Sequence, residues 1–429
     1  MTHPAPRLTR DYWRLFAASG ISNLGDGIFL AALPLLAARL TRSEIEIALT
    51  AAFNVLPWLL FALPVGAIID RSDRRRVMVQ TDVVRAGVVG ALTIVVALGH
   101  TEVWMLWVLA FVLGTAEVFF DSASQAMLPA VVPPPLLAKA NGRKWSLELA
   151  ANTFVGTPLG SVLFIVAVAL PFGIDAFTFA LAALLVAGIR GSFNASVVDR
   201  HPSASMYSEM RTGMRWLWRQ PLLRSIALSL ALTNLAFQMP LAVFVLFAQD
   251  VLGVGETGYG LLLALMGVGA IIGGLLGDRI VARVGQTMCI YGSISTWIVT
   301  MLAVPLYPHA WFVAVAVTIE AMATTVWNVV TVSLRQQIIP PELFGRVNGV
   351  YRWVAWGTLP LGAIAGGQLA AGFGLKAPYV GAGVLMAVAL LTLVPTVRTS
   401  TIVRALSSNR WAASQDDTPV AGRDPLFDV

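Results

Sequence analysis

Long apolar runs dominate the chain, each bounded by charged residues or proline. They fall near 12–38, 45–69, 78–99, 103–128, 145–169 and 172–190, and again near 222–249, 258–277, 287–306, 310–334, 348–372 and 377–395. A helix that crosses a bilayer uses about 20 apolar residues, so runs of this length predict helices that span a membrane. The hydrocarbon core offers no water to the backbone, and a helix satisfies every N–H and C=O within one segment. The expected class is therefore an all-α integral membrane protein with twelve transmembrane helices in two six-helix sets. Composition agrees, because 57% of the 429 residues are apolar and 12% charged, against about 45–50% and ~25% in soluble domains. A soluble enzyme, a nucleic-acid binder and a secreted scaffold are all disfavoured.

Charge placement carries the next step. The formal net charge is +6, which on its own would also suit a polyanion binder. Assigning loops to alternating sides, with the N-terminus inside, leaves only Arg39, Arg42 and Lys376 outside, with Arg85 inside a span and the rest of the 29 basic residues inside. That asymmetry follows the positive-inside rule, predicts cytoplasmic termini and removes the nucleic-acid reading. Cys289 is the single cysteine, so no internal disulfide forms, and no CxxC or Cys/His cluster points to a metal. Arg7 and Arg10 lead into a first run too long for a signal-peptide core, which predicts an uncleaved first span.

An internal repeat divides the chain. Pro133, Pro134, Leu136, Asn141 and Gly142 recur 207 residues later as Pro340, Pro341, Leu343, Asn348 and Gly349, with Lys139 and Arg346 keeping the charge. Gly66, Asp70 and Arg71, spaced GxxxDR, recur as Gly274, Asp278 and Arg279. The expected organisation is a first half over 1–190, a linker over 191–221, a second half over 222–395 and a polar, mobile cytoplasmic tail over 396–429. Parallel repeats of this size mark alternating-access transporters, whose binding sites lie near the midplane between the halves. Within the linker Met206, Met210, Met214, Leu217 and Trp218 share a helical face opposite Arg211, Arg215 and Arg219, which predicts a helix lying in the membrane surface. A basic, unstructured linker is the alternative.

With the repeat and the stretch from Gly66 to Arg76 in place, the chain resembles the major facilitator superfamily over nearly its whole length. Within it the likeness is to bacterial proton-driven exporters that include macrolide, tetracycline and siderophore efflux proteins. The segments Leu15 to Asp26, Ala140-Asn141-Gly142 and Gly213 to Arg224 carry it along with the loop motif. The resemblance implies a conformational gate at Gly66, Asp70, Arg71, Arg74 and Arg75, where the loop locks helix ends together, and at their repeats Gly274, Asp278 and Arg279. The loop departs from the family pattern at Asp73, where glycine is usual, which implies an altered turn. Gly156, Pro158 and Gly160 resemble the exporters' glycine-proline antiporter motif with the proline displaced by one, implying a helix hinge, although plain helix packing explains them nearly as well.

Acids inside apolar runs are the most informative single residues. An ionised carboxylate at a helix centre costs about 2.5–3.5 kcal/mol on insertion scales, so such groups face a cavity, find a partner or carry a proton. Asp26, Glu117, Asp121 and Glu320 are the resulting proton-coupling candidates, with Asp26 first because it is a lone acid at mid-depth. A local glycine-rich cap formed with Gly25 and Gly27 is the alternative for Asp26. Glu117 and Asp121, one helical turn apart, repel if both ionise. No lysine or arginine sits at matching depth in these helices, so neutralisation by a partner is not evident from the sequence, and Arg85 is assigned to Asp82 one turn away. Glu148 and Asp175, near run ends within reach of water, rank lower.

Glu117, Asp121 and Ser124 form a stripe that the repeat carries onto Thr324, Asn328 and Thr331, extended by Glu320 and Trp327, and both stripes are expected to face the central cavity. Asn23, Asn234 and Gln238 are further cavity candidates, with interhelical hydrogen bonding the alternative for these amides. Phe120 and Phe237 are candidates for stacking on a bulky ligand, with packing or lipid contact the default for an aromatic ring. The absence of a Gly-Lys pair excludes a phosphate-binding loop, and no nucleophile or metal constellation marks an enzyme.

The functional expectation is a proton-coupled antiporter that exports bulky amphiphilic compounds, antibiotics among them, from the bacterial cytoplasmic membrane. Its partners are protons, the lipid bilayer and a small-molecule cargo, its energy source is the proton motive force with no cofactor, and the family-based expectation is a monomer. A dedicated siderophore, lipid or natural-product exporter is the alternative, and a non-transporting receptor on the same fold a third.

Overall fold

The structure is a computed structural model that describes residues 8–69, 71–191, 193, 206–340 and 343–416. The helices of the first half are α1 (Arg10–Leu40), α2 (Glu44–Ile69), α3 (Arg74–Ala97), α4 (Val103–Val131), α5 (Leu137–Leu149), α6 (Thr157–Val166) and α7 (Leu170–Ala187). Next come α8 (Met206–Arg219), α9 (Pro221–Ala242), the short α10 (Phe244–Leu246), α11 (Glu256–Val284), α12 (Gln286–Ala303), α13 (Ala310–Ile338), α14 (Phe344–Trp356), α15 (Leu359–Phe373), α16 (Ala377–Leu393) and α17 (Thr399–Asp416). Among the described residues, nine helices are long and apolar enough to cross a membrane, α5 and α6 counting as one. The other three apolar runs hold α12, the interrupted pair α14 and α15, and α16.

Local chemistry sets the ends of these helices. Thr9 caps α1 by accepting from the Tyr12 N–H at 3.0 Å, and its hydroxyl donates to Val131 O at 2.7 Å, which ties the start of α1 to the end of α4. Asp73 caps α3, its Oδ1 accepting from the N–H groups of Arg75 at 3.0 Å and Arg76 at 3.3 Å. The departure from glycine there is thus an N-cap, with φ −70°, and the turn needs no left-handed residue. Gly285 at φ 86° and Gly374 at φ 87° end α11 and α15 in a backbone conformation that side-chain-bearing residues avoid. Pro158 lacks an N–H and crowds the carbonyl four residues back, and the helix ahead of it widens into a π turn over Ala150–Gly156.

Helix packing runs through glycines. In a bilayer, lipid tails are as apolar as leucine, so helices associate by close backbone contact at small residues. A Cβ on Gly27 would stand 2.0 Å from Asn152 O, and one on Gly160 would stand 2.3 Å from Ile28 O, which locks α1 against the α5–α6 segment. The same construction joins α4 to α2 at Gly114 and Asn54 O, α15 to α9 at Gly366 and Met239 O, and α11 to α13 at Gly269 and Thr318 O. The helices up to α7 and those from α9 onward meet each other along α2 with α15 and along α6 with α11. At the face holding the turn between α1 and α2, Arg39 pairs with Glu256 at 3.0 Å, and Arg42 bonds Asp250 at 3.2 Å and Gln249 at 2.8 Å.

Two expectations about the polar segments change. The tail is not simply mobile, because α17 follows α16, Val397 and Ile402 are buried, and Tyr291 donates to Val397 O at 3.0 Å. In the linker, α8 lies against α14, with Gly213 at Arg346 O and Leu217 buried, so part of its apolar face is covered by protein, while Trp218 is half exposed. Residues 194–205 and 417–429 lie outside the described residues, as does Pro341 of the repeat.

Replacing Gly27 by alanine forces a backbone shift at the α1–α5 crossing and is expected to cost about 1–3 kcal/mol. Gly87→Ala, where a Cβ meets open space, is expected to leave stability unchanged or slightly raised. The thermal unfolding midpoints of the two variants in detergent check this contrast.

Candidate functional site

A cavity of about 560 Å³ lies between the two sets of helices, lined from α1 to α7, α9 and α11. Its volume is that of a small-molecule pocket. Most of the wall is apolar, with Phe29, Phe179, Tyr259, Leu263 and Met266 among its residues. The polar groups are concentrated on the first-half side, where Asp26, Arg85, Glu117 and Asp175 reach the cavity together.

Arg85 is the hub of that side. Its side chain is 2% exposed, and its guanidinium lies against the rings of Phe120 at 5.2 Å and Phe179 at 5.1 Å. Cation–π contacts of this kind contribute about 2 kcal/mol when water is excluded. The assigned pairing with Asp82 is present, at 3.9 Å, too long for a hydrogen bond. Asp82 is not its sole counter-charge, since Arg85 also interacts electrostatically with Asp26, Glu117 and Asp121. No basic partner at matching depth lies within the helices of these three acids, and packing brings one to them from elsewhere. The partner sits on α3, one helix over, and becomes visible only once α1, α3, α4 and α7 are packed.

Glycines make the convergence possible. A Cβ on Gly25 would stand 2.0 Å from Thr178 Oγ1 and 2.3 Å from Asp175 Oδ1, so the missing side chain lets α7 close on α1 beside Asp26. Asp26 therefore lies on an unbroken helix, and its flanking glycines serve contact with α7 and with the π turn between α5 and α6 rather than a local cap. Asp175 also differs from expectation, being fully buried rather than open to water. Thr178 Oγ1 donates to Asp175 O at 2.8 Å and lies 3.4 Å from its Oδ1, while Oδ2 is buried without a partner among the described residues.

The remaining sequence candidates divide. Asp26 and Glu117 line the cavity, Asp121 belongs to the same electrostatic cluster, and Gln238 contributes from α9. Phe120 is buried beneath Arg85. Ser124 is buried with no partner for its hydroxyl among the described residues, and Asn23 bonds Ser19 O at 2.9 Å. Asn234 bonds Ala355 O at 2.8 Å, which is the interhelical alternative, and Phe237 packs in the apolar core.

The second stripe does not face this cavity. Trp327 and Thr331 are each 1% exposed, Trp327 packs on Trp297 at 5.6 Å, and Thr331 and Thr324 bond back to their own helix. Asn328 is exposed. Glu320 is buried between α13 and α12, where it accepts from the Thr300 hydroxyl, apart from the first-half cluster. The large indole of Trp297 on α12 takes up the side of α13 that the repeat assigned to the cavity. Asn54, Thr50, Asn152 and Thr157 are lining groups that the sequence reading passed over. The signal available for them was a polar residue inside an apolar run, the same signal used for Asn23.

The gate residues are also distributed. Arg74 Nη1 donates to Ala126 O at 3.1 Å, and Arg75 Nη1 to Ile189 O at 2.7 Å, so both hold the ends of neighbouring helices. Arg71 is exposed, Gly66 has open space around it, and Asp70 lies outside the described residues. In the second half no loop breaks the chain at the repeated motif. The helix α11 runs on through Gly274, Asp278 and Arg279, and the two charges are exposed. Gly156 and Gly160 are contact points for α1, with the π turn and Pro158 between α5 and α6.

The family described as transmembrane secretion effector matches residues 2–425. Macrolide efflux protein A of Streptococcus pyogenes is 24% identical over 380 residues, covering 87% of this chain and 93% of the relative. The multidrug efflux pump Tap of Mycolicibacterium fortuitum is 28% identical over 393 residues, covering 85% and 90%. Among solved structures, a mutant of the nucleoside transporter NupG superposes with a TM-score of 0.75 at 10% identity, covering 90% of this chain and 99% of that one. At that identity the likeness speaks for the fold alone.

A buried guanidinium flanked by carboxylates makes a definite stability prediction. Arg85→Gln leaves the carboxylates clustered without their counter-charge and is expected to destabilise by about 3–5 kcal/mol. Adding Asp82→Asn is expected to recover part of that loss. Thermal unfolding of the single and double variants in detergent measures the non-additivity.

Proposed function

The chain belongs to the transmembrane secretion effector family of the major facilitator superfamily, and on that premise we propose that it is a proton-coupled antiporter exporting bulky amphiphilic compounds. It is a multi-pass membrane transporter and not an enzyme. The observation that carries the proposal is the cluster of carboxylates around Arg85, opening into a mostly apolar cavity between the two halves. A guanidinium keeps its charge at every physiological pH, whereas a carboxyl gains or loses a proton. Fixed positive charge beside titratable acids is a construction suited to exchanging protons at the bottom of a cargo site.

In this reading α12, the α14–α15 pair and α16 complete twelve spans in two related halves, and the termini face the cytoplasm. The Arg39–Glu256 and Arg42–Asp250 pairs then close the outer face, and cargo reaches the cavity from the inner side. Opening the outer face requires both pairs to part, while Gly260 against Ser161 and Gly267 against Thr153 keep α11 close to the first half as the halves rock. Protons arriving from outside load the carboxyls, principally Asp26 and Glu117, and cargo leaves. The proton motive force drives the cycle without a cofactor, in a monomer in the bacterial cytoplasmic membrane. The relatives named for macrolide and multidrug efflux support the cargo class.

Efflux of a panel of fluorescent and antibiotic compounds from proteoliposomes under an imposed proton gradient tests the proposal. Expected are gradient-driven transport of several unrelated compounds and at least a tenfold loss in Asp26→Asn or Glu117→Gln, with the folded state retained. Transport of one compound alone points to a dedicated exporter, and transport indifferent to the gradient overturns proton coupling.

A further inference from the structure

We infer that the outward face of α8 is a binding site for an anionic phospholipid, whose headgroup phosphate meets a row of arginines while an acyl chain lies along the apolar row beside it. The site is remote from the central cavity and stands independently of the cargo reading. Arg211, Arg215 and Arg219 follow one another at a spacing of four along α8, and so do Met210, Met214 and Trp218. Residues four apart stand one above the other on a helix, so these are two parallel ridges. A groove of about 530 Å³ runs along them, lined among the described residues by these six side chains. The arginine row is about 12 Å long at 1.5 Å per residue. All three arginines are exposed, and none forms an ion pair with another of the described residues. Trp218 is 51% exposed, and Met210 and Met214 are half-buried. Arg224 adds a further guanidinium 5.9 Å from the Trp218 ring, its Nη1 donating to Trp218 O at 3.2 Å.

Position along the chain sets the depth of this face. The helix α8 ends at Arg219, and α9, long and apolar enough to cross a membrane, starts at Pro221. The arginine row therefore ends where the chain enters the bilayer, at the level of the headgroups. The opposite side of α8 is already occupied, because a Cβ on Gly213 would stand 2.6 Å from Arg346 O of α14 and Leu217 is 1% exposed. Chemistry then selects the occupant of the open side. Guanidinium groups hold phosphate oxygens through paired N–H donors, and an indole settles at headgroup level. The sequence of α8 carries one acid, Glu209, against its three arginines, and such an excess of positive charge is drawn to an anionic leaflet. A zwitterionic lipid brings its own cation up to the arginines and gains less. A free anion uses the arginines and leaves the methionine and tryptophan ridge in water, whereas a lipid covers both ridges. The site also bears on the contact between the halves, because α14 reaches α2 through Trp353 Nε1, which donates to Leu59 O at 3.0 Å, and through Trp356, packed on Trp58 at 4.8 Å.

Native mass spectrometry of the full-length protein in detergent, titrated with dioleoyl phosphatidylglycerol or dioleoyl phosphatidylcholine, measures the affinity for each lipid. Phosphatidylglycerol is expected to bind at least tenfold more tightly than phosphatidylcholine. Combining Arg211→Gln, Arg215→Gln and Arg219→Gln is expected to remove most of that preference. A control that takes the same charge from exposed arginines elsewhere, Arg283→Gln with Arg398→Gln and Arg404→Gln, is expected to keep it. Trp218→Ala is expected to weaken phosphatidylglycerol binding at least threefold. Equal affinities for the two lipids, or equal losses in the two triple variants, overturn the site. Displacement of the lipid by an equal concentration of inorganic phosphate assigns the arginines to a free anion and overturns it as well. Where the α8 triple variant does not fold, the saturable quenching of tryptophan fluorescence by brominated phosphatidylglycerol locates the lipid on the folded protein. That quenching is expected to be smaller in Trp218→Phe than in the wild type, and equal quenching in the two overturns the assignment to α8.

Discussion

A guanidinium held among apolar helices is the constraint around which the first half is arranged. Arg85 cannot shed its proton, and solvation of its charge has to come from the protein. Rings of Phe120 and Phe179 lie against it, and acids from α1, α3, α4 and α7 supply the opposite charge. Those carboxylates would be costly to bury singly and repel each other as a group. Arg85 is the charge they share, although Asp121 also faces Lys144 and Arg352. That sharing explains why the lining acids of the cavity all lie in one half.

Bringing four helices within reach of one side chain requires close backbones, and glycine provides them. Gly25 lets α7 approach α1 next to Asp26, and Gly27 and Gly160 let the α5–α6 segment cross on the opposite side. The π turn at Ala150–Gly156 belongs to the same arrangement, because it places Asn152 and Thr153 at the cavity while accommodating Pro158. Charge cluster and packing are thus one problem solved by the same short stretch of α1. A residue larger than glycine at position 25 would push α7 off α1, two of the helices whose acids offset Arg85, and one at position 27 would push α1 off the α5–α6 segment.

Much of this was legible from residues. The apolar runs located the helices, and Asp26, Glu117 and Asp121 stood out because an acid in hydrocarbon is costly whatever surrounds it. The role of Arg85 was not legible, since Asp82 three residues away explains it locally, and only tertiary packing adds the other acids. Asp175 was undervalued for a similar reason. Proximity to the end of an apolar run predicts exposure, but the neighbouring helices cover that end. The carry-over of the Glu117 stripe to Thr324, Trp327 and Thr331 failed because a repeat transmits backbone positions, not neighbours, and Trp297 of α12 packs against Trp327. The loop motif shows the same limit, forming an Asp73-capped turn in one half and part of the continuous α11 in the other.

The cavity is built from unlike materials, with its charges on the first half and an uncharged wall from α9 and α11 of the second, where Gln238 and Tyr259 are the polar side chains. A methylene gained or lost on Leu263 or Met266 alters the space open to a ligand without touching a single ion pair. The fold therefore separates the features that change readily under selection from those that cannot change alone.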